Sequence, residues 1–161
     1  MANLLVTIQE SITLPNRNKE VLSNTKTITD VNQTLRRIDT IPTAFSGAGV
    51  EILRFVDTEQ EQTGGAFVKN SVKYIRITNL DTINQCLIYL IDTNQESVIF
   101  KLEPGKSLMF GNADFNATNA SDYVIEGVWD EDYYSSFVYF DSIKAKAINS
   151  SVQLEYFVAS S

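Results

Sequence analysis

From Val50 onward the chain is a succession of short apolar runs, each closed by turn-forming residues. The runs are "VEILRFVD" (50–57), "SVKYIRITN" (71–79), "CLIYLID" (86–92), "SVIFKLE" (97–103), "SLMFG" (107–111), "YVIEGVW" (123–129), "FVYFD" (137–141), "IKAKAIN" (143–149) and "VQLEYFV" (152–158). They are rich in β-branched and aromatic residues, and several alternate with period two. Val152, Leu154, Tyr156 and Val158 share a face, as do Val98, Phe100 and Leu102. "CLIYLID" is apolar on both faces, which predicts a central strand covered on both sides. No ten-residue segment carries a helical period. Regular short strands punctuated by turns predict an all-β chain, a β-sandwich of jelly-roll-like type. At 161 residues, one such domain buries about two thirds of its unfolded surface.

The first 45 residues read differently. "NLLVTIQ" (3–9) suits a strand, and Pro15-Asn16 marks a turn. "NTKTITDVNQTLRRIDTI" (24–41) is rich in Thr and Ile and is extended in character. Large apolar side chains are sparse here for a self-sufficient unit. The expectation is therefore an extended arm, or the first strands, over residues 1–45 and a sandwich domain over 46–161. Glycines and small residues in "IPTAFSGAGVE" (41–51) allow a sharp turn or a close backbone approach.

Composition narrows the function. The formal charge is -7, which weighs against nucleic acid and against anionic membrane surfaces. Histidine is absent, so the commonest neutral-pH general base and metal ligand are missing. Cys86 is the one cysteine; it can form neither an internal disulfide nor a cysteine metal cluster, and its apolar run predicts burial. The first residues lack the basic start and long apolar stretch of a signal peptide. No run reaches the roughly 20 apolar residues of a membrane helix.

Gly105-Lys106-Ser107 ends like a phosphate-binding loop. Such a loop needs a glycine five positions earlier and a helix after it. Phe100 stands where that glycine belongs, and Leu108-Met109-Phe110 continue as a strand. Pro104-Gly105 instead predicts a type II turn, with Gly at positive φ. No cofactor, nucleotide or metal is expected, and no enzyme.

"WDEDYYSS" (129–136) is the most distinctive surface stretch. Asp130, Glu131 and Asp132 lack the alternation and glycine of a calcium loop and read as a solvated acidic loop. Trp129, Tyr133 and Tyr134 are rigid aromatics suited to protein or glycan contact. Phe157, opposite the core face of the last strand, is a further candidate contact. Lys144 and Lys146 mark either the wet face of a strand or a guarded edge.

The run "YIRITNLDTINQCLIYLIDTNQESVIFKLEPGKSLMF" and the closing "IKAKAINSSVQLEYFVAS" resemble the small β-sandwich structural proteins of tailed-bacteriophage particles. The likeness covers residues 70–161. It implies a virion protein assembled in the host cytoplasm: a capsid decoration or cement protein, or a tail or neck component. It also implies a homo-oligomer, commonly a trimer, that contacts the major capsid or another virion protein. A carbohydrate- or receptor-binding sandwich of a tail or fibre is the alternative.

Overall fold

The computed structural model describes residues 2–13, 15, 19–43, 49–61, 64–111 and 140–161. Among them are eleven strands, two short 3-10 turns and no α-helix. Strand β1 (Ala2–Thr13) and β2 (Lys19–Val31) form a two-stranded ribbon of their own. Then come β3 (Gln33–Ile41), β4 (Val50–Val56), β5 (Ala66–Val68), β6 (Val72–Asn79) and β7 (Cys86–Asp92). They are followed by β8 (Ser97–Leu102), β9 (Ser107–Gly111), β10 (Phe140–Ala147) and β11 (Val152–Ser160). One sheet runs β5-β4-β10-β7-β8 and the other β3-β11-β6-β9. Every pairing is antiparallel except β4 with β5.

The all-β sandwich expected from the sequence is present. Its core is a single cluster drawn from the inner faces of both sheets: Ile52, Phe55, Ile88, Leu90 and Ile143 from one, and Ile75, Ile77, Leu154, Tyr156 and Val158 from the other. Alternation in β11 does what the pattern requires, since Val152, Leu154, Tyr156 and Val158 are all buried. In β8 the inward row tapers. Leu102 is buried, Phe100 is half-buried, and Val98 is exposed where the strand runs past the core.

Three expectations are refined. β7 has neighbours on both edges, β10 and β8, yet it is not equally covered on both faces. Cys86, Ile88 and Leu90 are buried, while on the opposite face Ile91 is buried and Leu87 and Tyr89 are half-buried. β10 lies in the middle of its sheet, so Lys144 and Lys146 line the wet face of an interior strand and do not guard an edge. Residues 33–41 belong to the sandwich, because β3 pairs with β11 over nine consecutive residues; the arm proper is the β1–β2 ribbon.

Turn chemistry follows the sequence. Gly105 has φ 68°, and the Lys106 N–H donates to the Glu103 carbonyl at 3.1 Å. β9 begins two residues later, so Gly105-Lys106-Ser107 joins two strands. Asn79, fully buried, ties this turn to its surroundings. Its amide donates to the carbonyls of Asn84 (2.9 Å) and Leu102 (3.2 Å), and its Oδ1 accepts from the Asp81 N–H (3.0 Å). Its backbone exchanges bonds with Gly105 and Lys106.

Candidate interaction surface

Thr, Ile and Val at alternating positions favour extended chain in β1 and β2, and eleven residue pairs hold the two together. The near end of the ribbon is anchored. Leu4, Val6, Ile28 and Val31 close over Tyr74, Phe157 and Ala159 on the outer face of the four-stranded sheet. Tyr74 and Phe157 meet as a tilted ring pair with centroids 6.1 Å apart. Asp30 sits at φ 60° beside a register shift, where β2 spends one more residue than β1 between paired positions. Asp tolerates this left-handed backbone better than β-branched residues do. Lys73 Nζ donates to the Thr29 carbonyl at 3.2 Å and fixes the bulge to the body.

Beyond that anchor the ribbon stands clear of the sandwich. Ile8, Ile12 and Leu22 share one face with Glu10 and Glu20, because Ile8 is opposite Asn24, Glu10 opposite Leu22, and Ile12 opposite Glu20. All are exposed, Leu22 by 65%. The reverse face carries Leu5, Val21 and a threonine ladder in which Thr7 and Thr25 hydroxyls bond at 2.9 Å. An isolated two-stranded ribbon is marginal in water, so the distal half draws little stability from its own side chains.

The outer face of the four-stranded sheet holds a charged centre. Glu155 on β11 is 7% exposed. Its Oε2 accepts from Arg36 Nε (2.8 Å) and Nη2 (2.5 Å), and its Oε1 accepts from Arg76 Nη2 (2.6 Å). Register explains the convergence: Phe157, next along that face, is opposite both Arg36 and Arg76. The Arg36 hydrogen bonds lead in holding the Glu155 carboxyl below the usual carboxylate range, against the opposing effect of burial; Arg76 adds to them. Two guanidinium charges against one carboxylate leave this face locally positive on an acidic protein. Ile38 and Met109, both about half exposed, flank it.

A cleft of about 370 Å³ opens between β3 and β4, with Arg37, Asp39, Arg54, Gly65 and Tyr156 on its walls. Tyr156 donates its hydroxyl to Asp39 Oδ2 at 2.5 Å, and Arg37 Nε bonds Asp39 Oδ1 at 3.0 Å. Burial, reinforced by the Asp39 carboxylate, raises the Tyr156 phenol well above its ordinary value. Asp39 and Glu51 balance Arg37 and Arg54, so the cleft has no net sign to attract an ion. Among the described residues no group of three Cys, Asp or Glu side chains is placed to hold a metal ion. Cys86 is buried and its thiol is pushed up to about 11 by that burial.

Trp129, Tyr133 and Tyr134, with Asp130, Glu131 and Asp132, lie outside the described residues. Phe157 does face outward from β11, and it is half-buried because the base of the chain's own ribbon packs on it. Arg36, Arg76 and Glu155 escaped the sequence reading. The one available signal was a lone acid on the outer face of "VQLEYFV"; its partners come from strands 79 and 119 residues away. No family model, known protein or solved structure matches this chain.

Proposed function

We propose that the protein is a structural component of a bacteriophage particle, a capsid decoration protein that works through protein–protein contacts. The observation that carries this reading is the projecting ribbon. A sandwich with a closed core presents a twelve-residue and a thirteen-residue strand, most of whose side chains face solvent. Ordering such a segment costs roughly 1–2 kcal/mol per residue, a cost that contact with other protein offsets. The style of residues 70–161 supports the particle assignment, and the net charge of -7 favours protein over nucleic acid as partner. In this reading the protein is a homo-oligomer, a trimer, seated on the major capsid protein in a virion assembled in the host cytoplasm. It performs no catalysis.

The test is to add purified full-length chain to particles lacking it and to follow cosedimentation. Saturable binding to capsids is expected, and it should weaken when residues 1–31 are removed. Saturable binding to a glycan array, with none to capsids or tails, would replace this reading with the carbohydrate-binding one.

A further inference from the structure

We infer that the distal ribbon of one copy lies across the Arg36–Glu155–Arg76 face of a second copy. This rests on the assembly reading above and names the surfaces that meet. Three observations select the occupant.

The first is charge. Glu10 and Glu20 stand on the same ribbon face as Ile8, Ile12 and Leu22. The sheet face offers a surplus guanidinium between the exposed aliphatic chains of Ile38 and Met109. Acid meets base and aliphatic meets aliphatic in the same footprint. In the sequence the two acids of the distal ribbon are matched by Arg17 and Lys19, so the complementarity belongs to the face that carries Glu10 and Glu20 and not to the net charge of the ribbon.

Size is the second. The six distal residues of each strand make a face about 20 Å long, and a four-stranded sheet is about 15 Å wide between its outer strand axes.

Continuity is the third. The ribbon base already packs on this sheet, over Tyr74, Phe157 and Ala159. The neighbouring row across the strands is Arg36, Phe157, Arg76 and Met109, and beyond it lie Ile38 and Glu155. A second ribbon laid beside the first would extend a contact that the fold already makes. Each copy carries one donor ribbon and one acceptor face, so the exchange closes into a ring of two or three copies without leaving either surface unused.

The experiment mixes two full-length chains of different mass. One carries Ile12→Cys or Leu22→Cys, the other Ile38→Cys or Met109→Cys, and the mixture is mildly oxidised. These four positions are exposed, and native Cys86 is buried. A ribbon-to-face mixed disulfide is expected in at least one of the four pairings. Adding Glu10→Lys and Glu20→Lys to the ribbon chain should lower its yield about tenfold. Ile83→Cys, on the 80–85 connection, serves as the control acceptor, and circular dichroism confirms that each variant folds.

Ribbon-to-face yields no higher than the Ile83 control would overturn the inference. So would crosslinks confined to ribbon-with-ribbon pairs. Cosedimentation with anionic vesicles in place of the mixed disulfide would overturn it as well. A chain that fails here yet binds capsids loses this inference and keeps the particle reading. A chain that crosslinks as expected but ignores capsids keeps the inference and loses the reading.

Discussion

Replacing Gly49 by alanine should damage this fold more than the same change at Gly64, Gly65 or Gly105. Gly49 has φ +89°, a region that L-residues enter at a cost of roughly 1–2 kcal/mol. A Cβ built there would lie 2.8 Å from both the carbonyl carbon of Ala145 and the Cβ of Lys146, and closer still to the Ala145 oxygen. Those atoms belong to β10, which is held on both edges by β4 and β7 and cannot yield without disturbing two ladders. Overpacking of this kind adds roughly 1–3 kcal/mol, so the two effects together come to roughly 2–5 kcal/mol. Two further glycines separate the contributions. Gly105→Ala meets open space at φ +68° and should show the backbone cost alone, roughly 1–2 kcal/mol. Gly64→Ala meets open space without a positive φ and should be neutral within roughly 0.5 kcal/mol. Urea unfolding followed by circular dichroism reads all three. For a chain of this size the Gly49 variant should also melt roughly 4–20 °C lower. Equal losses at Gly49 and Gly105 would show that the close approach to β10 carries no energy, and the steric argument would fall.

Other expectations follow from the polar groups. Asn79→Ala strips partners from the carbonyls of Asn84 and Leu102 and from the Asp81 N–H; roughly 2–4 kcal/mol should be lost, and a shift of the urea midpoint too small to measure would contradict the assigned bonds. Glu155 has a depressed carboxyl pKa, so its contribution is present above the unfolded value of about 4.3 and fades as pH falls through the folded value. Glu155→Gln should therefore reduce stability at pH 7 and shrink the loss between pH 5 and pH 3, as urea titrations at those pH values would reveal. Tyr156 has the opposite dependence: its phenol is raised, so stability is complete below about pH 10 and declines above it. Tyr156→Phe should cost roughly 1–2 kcal/mol at pH 7 and blunt that alkaline decline.

The strands were legible because period-two alternation survives wherever one face is buried. β7 spans the residues of "CLIYLID", and β11 buries the four residues predicted to share its inner face. The turn at Gly105 was legible because Pro-Gly has a narrow set of backbone options. Strand order was not. Nothing in the spacing of Lys144 and Lys146 distinguishes an interior strand from an edge, since a wet sheet face and a guarded edge both alternate charge. The ribbon was legible as extended chain, but its boundary was not. The composition of residues 33–41 matches that of 19–31, and only pairing with β11 assigns the later stretch to the sandwich. The Glu155 centre was invisible because a carboxylate finds its arginines through register, and register is fixed by partners distant in sequence.

Strand order also sets the timetable on which this protein can be made. β10 lies between β4 and β7 in one sheet, and β11 lies between β3 and β6 in the other. Among the described strands, both are made after all the others. Until they emerge, β3 and β6 have no common neighbour, β4 and β7 stand unbridged, and the ribbon has no Phe157 or Ala159 to settle on. The ribbon thus waits for β11. Domains dominated by such distant pairings fold slowly and expose strand edges meanwhile. A nascent chain stalled before Phe140 should be open to protease along most of its length. Emergence of residues 140–161 should convert it to a resistant form in one cooperative step.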